Sequence, residues 1–565
     1  MTPYRPLKTR RVPKQLEALA ELDPVLARVY AARGISATAD LDHSLNKLAP
    51  VSSLNGVAEA VELLLKFRDR HVTVIGDFDA DGATSTALVL RCLRDFGFAK
   101  VDYLVPNRFE FGYGLTPEIV RVAAGRSPDL LITVDNGISS IAGVAEAARL
   151  GIPVLITDHH LPGKDLPAAA AMVNPNLADS DFPSPNLAGV GVAFYLMAAL
   201  GRAVEADGVE GAARIPAGYL DLVALGTVAD VVTLDHNNRI LVHQGLNRIR
   251  AGKAVVGIQA LLSQSGRSMQ RTVSSDLGFV VGPRLNAAGR LEDMSIGIEC
   301  LLTDDPGTAS RYAATLDRIN SERRHIENKM RDQAFAYVDG MDDRNLPPCV
   351  CLYDESWHQG IVGLIASRVR ERCHRPVIAF ARDDGGELKG SGRSITGVHI
   401  RDLLEAVSAT SPGLISKFGG HAMAAGLNLP EKHFADFSDF VSKQIKRLYP
   451  AADFSGALLT DGGLPPDAMN LRFANLLRSS GPWGAGFPEP MWRGDFSVVD
   501  QRVVGENHLK MRVQPADGPV VIDAIAFNQA GLPIRGPVSL AYRLDVNEFR
   551  GVETPQLIVE QIVPC

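Results

Sequence analysis

The segment Gly76-Asp77-Phe78-Asp79-Ala80-Asp81-Gly82 sets three carboxylates at alternate positions. Like charges this close repel one another unless a cation neutralises them. Matching chemistry recurs further on, at Asp135 before Asn136-Gly137, at Asp158-His159-His160, and at Asp230 after Leu225–Ala229. Carboxylates mixed with imidazole suit hard-to-borderline ions such as Mn2+ or Mg2+ rather than thiolate-preferring metals. Six or more such ligands exceed what one ion needs. A pair of ions about 3.5–4 Å apart, with one carboxylate bridging, accommodates them. Such a pair activates a water and clamps a phosphoryl group during in-line displacement. An EF-hand does not fit, because no Glu stands at the twelfth loop position.

Other nucleotide chemistry finds little support. Gly252-Lys253 is followed by Ala254 and has no glycine five residues before Gly252, so there is no P-loop. Gly189-Val190-Gly191 lacks the third glycine of a dinucleotide fingerprint. There is no G-x-S-x-G nucleophile elbow.

The carboxylates need elements to hold them. Apolar runs at Val72–Ile75, Val101–Val105, Leu130–Val134 and Val154–Thr157 read as strands, with a helix over Ser85–Phe96 between the first two. Alternating strand and helix signals predict a mostly parallel sheet. The polar clusters follow the apolar runs directly, at the carboxyl ends of expected strands, where open α/β sheets bind ligands. Residues 240–345 look mainly helical. Tyr312, Leu316, Ile319, Ile326 and Met330 predict one long amphipathic helix with Glu322, Arg323 and Arg324 on its wet side. A second α/β unit follows the polar stretch at 339–348, and its markers are Trp357-His358-Gln359-Gly360, Lys389–Ser394 and Gly419-Gly420-His421. Beyond Pro450, Phe496–Val499, Leu509–Val513, Val520–Ala526, Val538–Val546 and Gln556–Val563 read as the strands of a small β-barrel, an OB-like fold. The fold class is therefore multidomain α/β. Expected divisions are an N-terminal extension at 1–50, a catalytic parallel-sheet domain at 51–238, a helical connector at 239–345, a second α/β domain at 346–447 and the barrel at 448–565.

The chain has 565 residues, 46% of them hydrophobic, with a net charge of −7. That composition is globular and excludes wholesale disorder. The acidity argues at first against a nucleic-acid partner. Along the chain the charge is uneven: Arg248, Arg250, Lys253, Arg267, Arg271, Arg284 and Arg290 face only one acid, Asp276, in the same stretch. A basic segment beside an acidic metal site suits a phosphodiester substrate. Arg108, Arg284, Arg290 and Arg393 are the guanidinium forks expected on phosphates. Phe109, Phe111 and Tyr113 surround Arg108 and could stack unpaired bases. The six cysteines form no CxxC pair and read as reduced thiols of a cytoplasm. No secretory leader is expected. The apolar run Leu187–Leu200 is too short and Gly-rich to span a bilayer, so no membrane association is expected.

Asp79-x-Asp81, Asp135 and Asp158-His159-His160 resemble the DHH phosphoesterase superfamily. The likeness extends through Asn107-Arg108, Gly112-Tyr113-Gly114, Gly282–Arg290, Lys389–Ser394, Gly419–Gly426 and Gly486–Pro490. The whole series is similar to the superfamily's bacterial exonucleases that degrade single-stranded DNA from the 5′ end. The resemblance implies that Asp79 and Asp81, with Asp77, ligate metal, and that Asp135 bridges two cations, Mn2+ or Mg2+. His159 and Asp230 would complete the second ion's shell. His160 would sit nearer the scissile phosphate, with Asp158 orienting a histidine. Phe78 departs from the tyrosine usual there. Ser391, Arg393 and His421 would hold the substrate on the second α/β domain, with Asn286 of the connector also among the phosphate-binding residues. The barrel would grip the strand. Products would be 5′-mononucleotides, in repair and recombination. The expected partners are single-stranded DNA, a helicase and a single-strand-binding protein, and the chain is expected to act as a monomer. Two other readings stand beside this one. A DHH phosphodiesterase of small phosphates would not need the barrel or Gly282–Arg290. A non-catalytic single-stranded-DNA-binding replication factor would be expected to have lost metal ligands.

Overall fold

A computed structural model describes residues 5–14, 16–107, 111, 114–341, 346–383, 385–505, 507–530, 534 and 536–564. Near the N-terminus, α1 (Pro24–Ala31) is capped by Asp23, which accepts from Val25 N and Leu26 N. Its Leu26, Val29 and Tyr30 join the same core as the central sheet. That sheet comprises β1 (His71–Ile75), β2 (Lys100–Leu104), β3 (Leu130–Val134), β4 (Val154–Thr157) and β5 (Ala171–Val173). All pairings are parallel, in the order β2-β1-β3-β4-β5. β1, β3 and β4 are buried at every position, which is why they read as continuous apolar runs. β5 adds a fifth strand to the four expected from sequence, since three residues are too few to show a period. The strand order reverses at β1/β3, and the crevice beyond that switch point is where such sheets bind ligands.

Helix α2 (Ala80–Asp95) starts directly after the carboxylate loop, with Asp79 as its N-cap. Helix α3 (Gly189–Ala206) is the one helix among the described residues with the length and apolarity to cross a membrane, and it is mostly buried within the protein. It is longer than the Leu187–Leu200 run suggested, because polar residues continue its last turn. Helix α4 (Leu220–Ala229) has no polar face, and Asp230 is its C-cap. Asp230 therefore ends a helix, although its apolar approach resembles that of a strand. Helix α5 (Gly282–Leu291) follows a single π-helical turn at Leu277–Val281.

The chain divides into two compact units, Thr9–Ile319 with Thr460–Cys565, and Met1–Lys8 with Asn320–Leu459. The division falls within α6 (Pro306–Asp339), the expected long helix. Arg323, expected on its wet side, is buried instead. It bonds Glu327 at 2.7 Å and Asn320 at 2.9 Å, because a buried guanidinium must be paired.

The smaller unit holds a mixed sheet of β6 (Val350–Tyr353), β7 (Val377–Arg382), β8 (Glu387–Arg393), β9 (Lys417–Gly420) and β10 (Ala424–Pro430), in the order β9-β10-β8-β7-β6. Helix α7 (Val362–Cys373) connects β6 to its parallel neighbour β7. In the larger unit, β11 (Trp492–Val504), β12 (His508–Pro515), β13 (Ile522–Ala526), β14 (Pro537–Phe549) and β15 (Val552–Pro564) close into a barrel. Neighbours pair antiparallel except β13 and β15. Trp492, Phe496 and Tyr542 inside it belong to the same continuous core as the sheet helices.

Candidate metal centre and phosphate sites

The carboxylates converge at the carboxyl edge of the parallel sheet. Asp77 follows β1, Asp135 follows β3, and Asp158-His159-His160 follows β4. Asp230 arrives from the end of α4. Three sets of side chains bring ligand atoms within 4.8 Å of one another: Asp77, Asp79 and Asp135; Asp81, His159 and Asp230; Asp135, His159 and His160. Asp135 and His159 each belong to two sets. His159 Nε2 is buried, makes no hydrogen bond, and lies 3.2 Å from Asp135 Oδ1 and 3.6 Å from Asp230 Oδ2. A nitrogen enclosed this way between carboxylate oxygens fits a divalent cation, and the oxygen and imidazole donors suit Mn2+ or Mg2+.

Local backbone chemistry fixes the group. Asp79 accepts from Asp81 N and Gly82 N, both at 3.0 Å, and so starts α2. Asp81 receives Gly189 N at 2.6 Å and Val190 N at 2.9 Å, which places its charge on the N-terminus of α3. Asp135 has φ +61° and Val231, next to Asp230, has φ +63°. For a β-branched residue that conformation is strained, and such strain gathers at functional sites. Close approach is essential here: a Cβ at Gly189 would lie 2.5 Å from Asp135 Oδ1, and one at Gly226 would lie 2.7 Å from Asp81 Oδ1.

Asp158 orients the histidines. Its Oδ1 meets His160 Nδ1 at 2.7 Å and receives His159 N at 2.8 Å and His160 N at 3.1 Å, while Oδ2 receives Ile138 N at 2.9 Å. Burial works to raise the Asp158 pKa, but its bonds with His160 outweigh that and hold it low. Burial likewise works to lower His160, yet Asp158 and the surrounding carboxylates push it up to about 9. Burial lowers His159. Burial and mutual repulsion raise Asp135 and push Asp81 and Asp230 up to about 7, the signature of carboxylates gathered to share a cation.

Several supporting groups escaped the sequence reading. Asn174 Nδ2 donates to the His160 carbonyl at 2.9 Å and Asn176 Nδ2 to the His159 carbonyl at 2.6 Å. Asn136 Nδ2 ties β1 to β3 through Ile75 O and Val134 O. The Asn-Pro-Asn at 174–176, directly after an apolar run, was the available signal. The N–H pair at Gly189 and Val190 leaves no side-chain signature.

The expected phosphate-side residues fall into separate groups. Asn286 Oδ1 accepts from Ala80 N at 2.8 Å, and a Cβ at Gly289 would overlap the Phe78 carbonyl oxygen. Helix α5 thus braces the carboxylate loop. Arg284 is turned onto Asp317, with Nε at 2.9 Å and NH2 at 2.7 Å from Oδ1, so its fork is occupied by a carboxylate. Arg290 is half-buried in the same helix. Much of the basic stretch is similarly neutralised. Arg248 lies 3.4 Å from Asp221 and Arg267 3.5 Å from Asp276, while Arg271 pairs with Glu548 and with Glu553 at 2.9 Å. Part of its excess positive charge in sequence is therefore met by acids. Arg108 and Tyr113 lie outside the described residues.

In the smaller unit, strand alternation sets Lys389, Ser391 and Arg393 on the less buried face of β8. Arg393 NH1 donates to Ser391 Oγ at 3.0 Å. The first turn of α7 comes close, since a Cβ at Gly363 would lie 2.9 Å from Arg393 NH2 and 3.0 Å from Ser391 Oγ. A guanidinium, a hydroxyl and a helix N-terminus together offer donors suited to an anion. His421 N donates to Ala424 O at 2.7 Å in the β9–β10 turn.

Known proteins resemble the chain along nearly its whole length. The DHH family, N-terminal domain, matches residues 71–227, the DHHA1 domain matches 346–447, and the RecJ OB domain matches 460–561. The single-stranded-DNA-specific exonuclease RecJ of Escherichia coli is 51% identical over 99% of both chains. The RecJ of Bacillus subtilis is 32% identical over 90% of this chain and 63% of its own. Among solved structures, RecJ of Thermus thermophilus in complex with Mn2+ matches with a TM-score of 0.81 at 30% identity, covering 99% of this chain and 80% of its own. The same protein in complex with Mg2+ matches at 0.77 and 28%, covering 99% and 78%.

Proposed function

The chain belongs to the RecJ family of single-stranded-DNA-specific exonucleases, and from that membership we infer that it degrades single-stranded DNA from the 5′ end by two-metal-ion phosphodiester hydrolysis. The observation that carries the reading is the position of Asp135 and His159 in two ligand sets each, with His159 Nε2 enclosed between Asp135 and Asp230. Asp77, Asp79, Asp81, Asp135, His159 and Asp230 would hold two divalent cations, Mn2+ or Mg2+. When bound, these ions would supply water activation and charge neutralisation at the phosphoryl group. Asp135, which belongs to two of the ligand sets, would serve both cations.

The chain's own residues do the rest. Asp158 fixes the His160 ring through the 2.7 Å contact at Nδ1. His160, so oriented, is assigned to the scissile phosphate. Asn286 and Gly289 hold the carboxylate loop in place. Arg290 and Arg108 are assigned to backbone phosphates, and Tyr113 to an unpaired base. Ser391, Arg393 and His421 are assigned to a terminal phosphate. Arg284 positions α5 through Asp317. The closed barrel offers a further surface for the strand.

We place the enzyme in the cytoplasm as a monomer, beside a helicase that opens duplex DNA and a protein that coats single strands. Five described cysteines are buried and free, as a reducing compartment requires. The test uses end-labelled single-stranded and duplex DNA of one sequence, with and without Mn2+. Release of 5′-mononucleotides from the single strand alone, and only with metal, is expected. Equal attack on the duplex, or release without metal, would refute the assignment.

A further inference from the structure

Phe279 is 78% exposed, the most exposed of the large apolar side chains among the described residues. It stands in the π-helical turn Leu277–Val281, whose Leu277 and Val281 are fully buried. The turn is anchored from below and displays Phe279 to solvent. π-Turns inside α-helical segments are rare and concentrate at functional sites.

The segment carrying Phe279 is fixed against the metal centre at both ends. On one side, a Cβ at Gly278 would lie 3.2 Å from Val228 Cγ1 and one at Gly282 would lie 3.1 Å from Ala229 Cβ. Val228 and Ala229 are the residues just before Asp230. On the other side, Asn286 and Gly289 seat α5 on the Asp77–Asp81 loop. Val231, directly after Asp230, is also exposed, at 70%, and strained. An exposed large apolar side chain forgoes burial free energy. Here two of them stand in segments that pack beside Asp230, and one is held there by a strained backbone.

We propose that Phe279 is a base-stacking platform that positions the single strand over the metal centre. This deepens the exonuclease reading and rests on it. An aromatic face accepts any base and so reads no sequence. It needs a base whose faces are free, and a paired, stacked duplex does not present one. Phe279 would thus contribute to strand selectivity by attraction to unpaired bases. Arg284 NH1 donates to Val280 O at 2.7 Å, which stiffens the turn that presents the ring.

The test measures steady-state release of mononucleotides from 5′-phosphorylated single strands in Mn2+ by the full chain and its Phe279→Ala, Phe279→Leu and Phe279→Trp variants. One stacked base accounts for about tenfold in affinity. Phe279→Ala and Phe279→Leu should raise KM by about that factor with kcat nearly unchanged. Phe279→Trp should restore the wild-type KM. Because the side chain is exposed, unfolding midpoints should not move. Strands with one abasic position, walked along from the 5′ end, supply the second readout. At one position the abasic site should raise KM for the wild type and have no further effect in Phe279→Ala. A KM in Phe279→Ala equal to wild type overturns the proposal. So does a KM restored by leucine as well as by tryptophan, or an abasic penalty identical in both proteins, and a protein-docking role for the ring would give the first of these. A wild-type chain that releases no nucleotides would overturn the exonuclease reading itself, and this proposal with it.

Discussion

At the scale of single residues, the centre is built from carboxylates whose negative charge is met by backbone N–H groups and imidazole. Asp81 lies on two N–H groups of α3, and Asp158 takes three backbone N–H groups and the His160 ring. Gly189 both donates one of those hydrogens and leaves space for Asp135. Gly189→Ala should therefore displace Asp135, cost about 1–3 kcal/mol of stability, and reduce Mn2+-dependent nucleotide release at least about tenfold. Thermal unfolding and a time course of release check this together, and a variant with wild-type values in both would refute the cradle. The carboxylates and histidines were legible in sequence because each follows an apolar run. The Gly189 and Val190 hydrogens were not, because backbone donors have no residue signature. Arg284 was legible as a phosphate fork only until Asp317, far along the chain, took its place.

At the scale of elements, the parallel strands and the barrel strands could be read from apolar runs bounded by turn residues. β5 was too short to read, and α4 shows no separate polar face, so the element before Asp230 was open to mistake for a strand. The helix His236–Arg250 shows a different dependence on its surroundings. His43 rests against His243, ring centroids 4.9 Å apart, with Arg239, His236 and Asp42 as the other charged neighbours. Burial, then His243 and Arg239, lower its pKa from 6.5 to about 4, and burial also lowers His243. A histidine lowered in the folded state binds its proton more readily when unfolded. Its contribution to stability is therefore present above pH 6.5 and is lost as pH falls towards about 4. His43→Phe should flatten the fall of the unfolding midpoint over that window. An unchanged slope would mean that other groups carry it.

At the scale of the whole molecule, the net charge of −7 divides among distant parts. Carboxylates collect at the metal centre, and part of the basic stretch is paired with acids distant in sequence. Arg271, for example, meets Glu548 and Glu553 across the chain. The segment 460–490 that leads into the barrel is equally integrated into the larger unit. Arg33 holds Asp461 at 2.7 and 3.0 Å, Tyr30 OH donates to Ser480 O at 2.7 Å, and Leu234 N donates to Ala485 O at 2.8 Å. Trp483 and Phe487 stack on Tyr30 within the same core. A chain ending at Leu459 should therefore expose apolar core, unfold at lower temperature and lose activity even on short oligonucleotides. Full activity on short strands with an unchanged midpoint would show the barrel to be dispensable to the catalytic unit. The central claim is that Asp77, Asp79, Asp81, Asp135, His159 and Asp230 form one two-metal centre for 5′-end hydrolysis of single strands. Its most direct test is nucleotide release from 5′-phosphorylated single-stranded DNA in Mn2+ by the Asp135→Ala variant. Loss of at least about a thousandfold in rate, with the fold intact by circular dichroism, is the predicted result. Release at the wild-type rate would contradict it.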